Sequence, residues 1–354
     1  MADPLLDAIL GEIAAAERLL LISHEAPDGD AIGSLLGMTR LLRGLGKTAV
    51  PACQDPPPLA LDFLPGVDEI VASVSAPFDL VISLDCSDAY RLGKVLDPAT
   101  LASVRLINID HHVTNVHFGS INWVDPTSVA TTQMVLALAD YARSQAPSEQ
   151  HWSALPDAWL VDADVATSLL TGLVTDTRGF RTANVDARAL QAAVRLIDPG
   201  ALLTRVTQLA LNRKPVAAIR LWGLAIDRLH LEDGLLWTHI THEMREATGV
   251  QGNSDSGLSN LLSDTREAEV VVVFTERGKD EIDVSMRAAP GLDISGVALA
   301  LGGGGHPQAS GCSLRGSLQE VEPRVLAAVR HALAQQRQDD ERDGTSNPDS
   351  GHSH

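Results

Sequence analysis

His24, Asp28 and Asp30 crowd into one short stretch, HEAPDGD, between an apolar run and a helical pattern. Two carboxylates this close cannot both stay ionised unless positive charge sits between them. A metal ion is the economical answer: His24 and Asp28 converge on one ion while Asp30 points to a second. The competing reading is a capping loop, with Asp30 starting the helix and His24 on the surface. Further along, Asp85 follows the apolar run LVISL, and Asp110, His111 and His112 follow VRLINI. Three apolar runs thus end in acidic or imidazole groups, which packing alone does not require. Mixed carboxylate and imidazole donors suit Mn²⁺, where an all-oxygen set would suit Mg²⁺.

Strands must carry these groups. Leu19–Ile22, Leu80–Leu84 and Val104–Ile109 read as strands, and Leu80–Leu84 is apolar on both faces, the mark of a buried parallel strand. In open α/β sheets, ligands bind beyond the C-terminal strand ends. Pro27 and Gly29 turn the chain, and a helix follows over Ala31–Leu45. A second helix, Val165–Val174, leads into a loop carrying Asp176, Arg178 and Arg181. Ala201–His230, interrupted at Asn212–Pro215, reads as a helical connector. Beyond it the pattern changes to strands at Leu235–Ile240, Val270–Thr275 and Glu281–Met286, with helices at Ile294–Ala300 and Leu318–Ala334. Gly302, Gly303, Gly304 and Gly305, followed by His306, let backbone N–H groups approach an anion, or else form a hinge. Arg287, ending an alternating strand, is a phosphate clamp or a surface charge. The fold class is therefore α/β. A parallel-sheet domain with flanking helices spans 1–200, a helical connector 201–232 and a smaller α/β domain 233–336. An active-site cleft is expected between the two domains, and the polar tail 337–354 reads as disordered.

The chain has 354 residues, 45% of them hydrophobic, enough for two cores. Its net charge of −19 is a poor match to long nucleic acid. With aromatics at 3%, an extended base-stacking platform is not expected either. The partner is small, or metal ions supply positive charge locally. Cys53, Cys86 and Cys312 lie too far apart for a zinc motif or a disulfide framework, which fits a reduced, cytoplasmic protein. The acidic N-terminus is no signal peptide, and no apolar run spans a bilayer, so no membrane partner is expected.

Together the motifs resemble the DHH/DHHA1 phosphoesterase superfamily. HEAPDGDAIGS, LDCSDAYRLG, IDHHVTN and GLVTDT match in order, and VSMR with GGGGHPQASG is similar to the DHHA1 domain. The layout resembles the stand-alone oligoribonuclease/pAp phosphatase (NrnA-type) branch. The resemblance implies two Mn²⁺ ions, with Mg²⁺ or Co²⁺ able to substitute. It assigns His24, Asp28 and Asp85 to the first ion, and Asp30, Asp85, His111 and Asp176 to the second. Asp85 would bridge, Asp110 would support the cluster and His112 would face the scissile phosphate. Arg287, Gly303, Gly304, Gly305 and His306 would grip substrate phosphate or sugar. The implied substrates are short single-stranded oligonucleotides of about two to five units and pAp, both cut at phosphorus–O3′. Hydrolysis of dinucleotide messengers, a RecJ-like exonuclease and a non-catalytic nucleotide sensor are the alternatives, and a homodimer is expected. One departure stands out: Arg178 occupies the place after Asp176-Thr177 where the family commonly has glycine.

Overall fold

Apolar runs that cannot face water on either side pair laterally and take helices on both faces. The computed structural model describes residues 3–75, 77–145, 159–250, 255, 257–278 and 280–345. In chain order the first unit contains α1 (Pro4–Ala15), β1 (Arg18–Ile22), α2 (Gly29–Gly44), β2 (Thr48–Ala52), β3 (Leu80–Leu84), α3 (Pro98–Ser103), β4 (Arg105–Asp110), β5 (Ile121–Val124), α4 (Thr131–Ser144), α5 (Ala163–Asp176), α6 (Ala187–Ile197) and α7 (Leu203–Val206). Its five strands are all parallel, in the order β2-β1-β3-β4-β5. The order reverses between β1 and β3, which makes their ends the switch point where this topology places ligands. Leu19, Leu21, Ile82, Ile107 and Ile109 pack against the helices on one face, while Leu20, Ile22, Val81 and Leu106 form the smaller core on the other.

The second unit contains α8 (Val216–Ile226), β6 (His230–Glu232), β7 (Leu235–Ile240), α9 (His242–Thr248), α10 (Leu258–Leu262), β8 (Val270–Gly278), β9 (Glu281–Ala288), α11 (Ser295–Ala300), β10 (Gly304–His306), β11 (Ala309–Arg315) and α12 (Leu318–Thr345). Its mixed six-stranded sheet runs β10-β11-β9-β8-β7-β6. The alternation of β9 puts Ile282, Val284 and Met286 into the core under α11 and α12.

The chain divides at Arg213/Lys214, inside the expected connector 201–232. Val206 and Ala210 bury into the first unit's cores, Leu221 and Ala225 of α8 pack on the second sheet, and the expected interruption at Asn212–Pro215 lies between them. The stretch 337–345, expected to be disordered, continues α12, and 346–354 lies outside the described residues. Among the described residues, no helix is long and apolar enough to cross a membrane.

The approach of α2 to α5 positions the site more than any other contact. Gly29, Gly33 and Gly37 recur every four residues and so share one face of α2. A Cβ on Gly33 would lie 2.5 Å from the Ser168 carbonyl oxygen and 3.0 Å from the Gly172 nitrogen of α5. Main chain therefore abuts main chain. The start of α2, with Asp30, comes to the end of α5, with Asp176.

Candidate active site

Asp85 leaves β3 at the switch point with φ +59°, a left-handed backbone that few non-glycine residues adopt. Its N–H donates to the Ile109 carbonyl at 3.0 Å, fixing the turn against β4. The carboxylate faces both ways. Oδ2 lies 3.6 Å from His24 Nε2 and Oδ1 lies 3.5 Å from His111 Nε2. His111 Nε2 is also 3.7 Å from Asp30 Oδ2 and 3.6 Å from Asp176 Oδ2. His111 Nδ1 sits 3.2 Å from the Ser128 carbonyl oxygen, which accepts its proton and leaves Nε2 bare toward the carboxylates.

Asp28 is the N-cap of α2, a place the capping reading had given to Asp30. Its Oδ1 accepts from the N–H groups of Asp30 and Ala31 at 3.0 and 3.1 Å. Asp28 nonetheless offers a donor atom within 4.8 Å of those of His24 and Asp85. Asp30, Asp85, His24 and His111 are buried and Asp28 is exposed.

Asp30 is held by α4. It accepts from Thr131 N at 2.6 Å, Thr132 N at 3.0 Å and Thr132 Oγ1 at 2.7 Å, while Thr131 Oγ1 donates to Asp85 Oδ1 at 3.0 Å. The sequence names no partner for these two threonines; a Thr-Thr pair opening a helix was the available signal. Asp176 is the last residue of α5, where the sequence suggested a loop. The Gly179 N–H returns to the Val174 carbonyl and that of Arg178 to Thr175, the two bonds of a Schellman cap. Arg178 holds the left-handed position at φ +51°, where glycine would avoid about 1 kcal/mol of steric cost.

His112 Nδ1 lies 2.7 Å from Asp110 Oδ1, and Asn115 donates to Asp110 Oδ2 at 2.6 Å. Burial alone would depress the His112 pKa, but the hydrogen bond and charge of Asp110, then Asp85, outweigh it and raise it to about 9. Burial alone would raise Asp110, yet its bond to His112 holds it below the ordinary range. Burial works the same way on Asp85, and there His24, His112 and His111 win, so Asp85 stays ionised. Asp30 goes the other way, pushed well above the usual carboxylate range by burial and then by Asp85. The His112 shift predicts a titration. In metal-free protein, the His112 ring signals in NMR should change near pH 9 rather than at an ordinary imidazole value near 6.5. Its contribution to stability is then complete below about pH 6.5 and lost as pH rises through about 9. Asp110→Asn should bring the titration back toward 6.5; an unchanged midpoint would refute Asp110 as the cause.

The residues fit divalent cations. Asp85 Oδ2 is buried with no hydrogen-bond partner among the described residues. The His–Asp separations of 3.5–3.7 Å exceed a hydrogen bond and suit two ligands sharing one ion. Donor atoms gather within 4.8 Å in the groups His24/Asp28/Asp85, Asp30/His111/Asp176 and Asp85/Asp110/His112. Nitrogen and oxygen donors together match Mn²⁺, Co²⁺ or Zn²⁺ better than Ca²⁺.

The other candidates lie in the second unit. Arg287 donates from Nε to Asn260 Oδ1 at 2.8 Å and from Nη1 to the Met286 carbonyl at 2.9 Å. Ala309 pairs with Arg287 on one side and His306 on the other, so those two side chains stand on one row, about 10 Å apart. Within the glycine run, Gly304 and Gly305 belong to edge strand β10, and a Cβ on Gly303 would run into the Gly311 carbonyl oxygen.

The description "DHH family, N-terminal domain" matches residues 18–173, and the DHHA1 domain matches 245–335. A bifunctional oligoribonuclease and PAP phosphatase NrnA from Thermus thermophilus is 35% identical over 320 residues, 89% of this chain and 90% of the relative. This chain belongs to the DHH/DHHA1 family. The Bacillus subtilis protein of the same name is 28% identical to this DHH/DHHA1 chain, over 90% of it and 96% of the relative. An exopolyphosphatase-related protein from Bacteroides fragilis shares the fold, with a TM-score of 0.78 at 21% identity, over 94% of this chain and 96% of that one.

Proposed function

We propose that this DHH/DHHA1 protein hydrolyses short oligoribonucleotides to 5′-mononucleotides and pAp to AMP and phosphate, using divalent ions, manganese first among them. The observation that carries the reading is the two-faced Asp85 carboxylate, with His24 on one oxygen and His111 on the other. Relatives named as bifunctional oligoribonuclease and PAP phosphatase support the substrate class. His24, Asp28 and Asp85 would hold one ion, and Asp30, Asp85, His111 and Asp176 the other. When bound, such ions supply a nucleophile at neutral pH and neutralise phosphoryl charge.

The chain's own residues do the rest. Thr131, Thr132 and Ser128 fix the orientations of Asp30, Asp85 and His111. His112, braced by Asp110, donates a hydrogen bond to the phosphoryl oxygens as charge grows on them. Water's hydroxyl joins phosphorus, the phosphorus–O3′ bond breaks and O3′ leaves with a proton. Because that bond is common to a dinucleotide and to pAp, one cluster serves both. Arg287, Gly303, Gly304, Gly305 and His306 would hold a further phosphate or sugar. A substrate of a few nucleotides needs few phosphate contacts, which suits a chain of net charge −19.

The test strips the protein with chelator and restores Mn²⁺, Mg²⁺ or Co²⁺ separately, with pAp, a diribonucleotide and a cyclic dinucleotide as substrates. Mn²⁺ should restore turnover of pAp and the diribonucleotide well above that of the cyclic compound. Preference for the cyclic dinucleotide would favour the activity named for the Listeria monocytogenes cyclic-di-AMP phosphodiesterase, 23% identical. Turnover of none with any ion would refute the reading.

A further inference from the structure

The LDCSDAYRLG motif contributes Asp85 to the cluster, and its Tyr90 and Arg91 have no part in the account above. Both sit on a short helical turn, Ala89–Leu92, just beyond β3. That turn is fixed on three sides. Asp88 caps it through Tyr90 N at 3.0 Å, the Glu25 N–H donates to the Arg91 carbonyl at 2.7 Å, and Val116 N–H donates to the Ser87 carbonyl at 2.9 Å. It is therefore tied to the loop carrying His24 and to the loop following His112.

Arg91 is half-buried, and its Nη2 lies 3.1 Å from His24 Nδ1. Arg40, Arg43, Arg188 and Arg195 of the same unit each pair with a carboxylate. Among the described residues Arg91 pairs with none, in a chain of net charge −19. Among the described residues its side chain has one hydrogen-bond contact, and that one is contested. His24 Nδ1 is 2.8 Å from the Glu25 carbonyl oxygen, which needs a proton there, whereas Arg91 needs a lone pair. A neutral ring can serve only one of them. When His24 uses Nε2 as a ligand, its proton sits on Nδ1 and goes to Glu25, leaving the guanidinium without an acceptor beside the cluster. A planar cationic fork in that position matches phosphate oxygens. Next to it, Tyr90 presents its ring to solvent, 91% exposed.

We propose that Tyr90 and Arg91 form a nucleotide-recognition element in the first unit: Arg91 takes a non-bridging oxygen of the scissile phosphate, and the Tyr90 ring stacks on an adjacent base. This rests on the proposed function and supplies what that cluster lacks, a contact able to tell a nucleotide from any other phosphodiester.

The test compares a diribonucleotide with the same dimer lacking both bases. Wild type should favour the diribonucleotide about tenfold in KM, as one stacked base allows. Tyr90→Ala should remove that preference by raising the diribonucleotide KM, leaving kcat and the abasic dimer little changed, and Tyr90→Phe should restore it. Arg91→Met should lower kcat/KM for both dimers by about a hundredfold, the scale of a charge-assisted contact. Mn²⁺ affinity of that variant, measured calorimetrically on stripped protein, should stay within about threefold, because His24 keeps its Glu25 partner. A Tyr90→Ala protein that retains the wild-type preference overturns the stacking role. Mn²⁺ affinity falling in step with activity in Arg91→Met overturns the phosphate role, since Arg91 would then act only through His24. Wild type that cleaves neither dimer refutes the proposed function instead, and equilibrium binding of the two dimers to the same variants then decides on Tyr90 and Arg91.

Discussion

Asp85→Asn should lower kcat/KM for a diribonucleotide by about a thousandfold or more, the scale expected when several kcal/mol of transition-state charge stabilisation is lost. Both halves of the cluster depend on this carboxylate, with Oδ2 toward His24 and Oδ1 toward His111. Asparagine is the informative replacement because residue 85 sits at φ +59°, which asparagine tolerates and alanine does so only with about 1–2 kcal/mol of steric cost. Metal-free Asp85→Asn should unfold below wild type, because the pull of His24, His112 and His111 outweighs the repulsion from Asp30 and Asp110 that is also removed. The gap should widen on adding Mn²⁺. An ion at a hundredfold its Kd stabilises the wild type by about 2.7 kcal/mol, and the variant should gain little of this. Wild-type turnover by a folded Asp85→Asn protein would remove Asp85 from the centre of the chemistry.

Gly33→Ala should destabilise the first unit by about 3 kcal/mol, lowering Tm by roughly 6–12 °C. The added carbon would meet the Ser168 carbonyl oxygen at 2.5 Å, a main-chain atom that cannot rotate away. Residue 33 carries no functional group, yet Mn²⁺ affinity should fall with stability, because parting α2 from α5 parts Asp30 from Asp176. Gly172→Ala should act more locally, its carbon running into Thr132 Cγ2 and falling 2.6 Å from Asp30 Oδ1. Gly11→Ala in α1 is the control. Nothing lies within 4 Å of the added carbon there, and an exposed helical glycine-to-alanine change should stabilise by about 0.5–1 kcal/mol. Calorimetric unfolding of the three variants checks the set; an unchanged Tm for Gly33→Ala would contradict the main-chain contact.

What the sequence disclosed was whatever a single strand or its end could carry. Leu80–Leu84 is apolar on both faces and stops at Asp85, so strand, burial and functional group were legible together. Likewise His24, Asp110 and His111 follow runs that only a buried strand explains. What escaped depended on elements far apart in the chain. Thr132 meets Asp30 across 102 positions, and no local pattern in Ala-Thr-Thr names that partner. The Ser128 carbonyl that orients His111 is main chain, invisible to residue type. The recurrence of Gly29, Gly33 and Gly37 was in plain view, but its meaning required knowing that α5 crosses there. Short edge strands hid for another reason. Gly304–His306 gains its conformation from β11 alongside, against its own composition.

Most protein interiors absorb disturbance by letting side chains hop between rotamers. Where residue 33 presses on the Ser168 carbonyl there is no side chain to hop, so that cushioning is missing. A tremor in a nearby loop or a warmer solution reaches the far ends of these two helices only by shifting entire rods. The gap between Asp30 and Asp176 should accordingly be among the last distances in this half of the molecule to drift, and the fold itself would serve as the gauge for an ion held there.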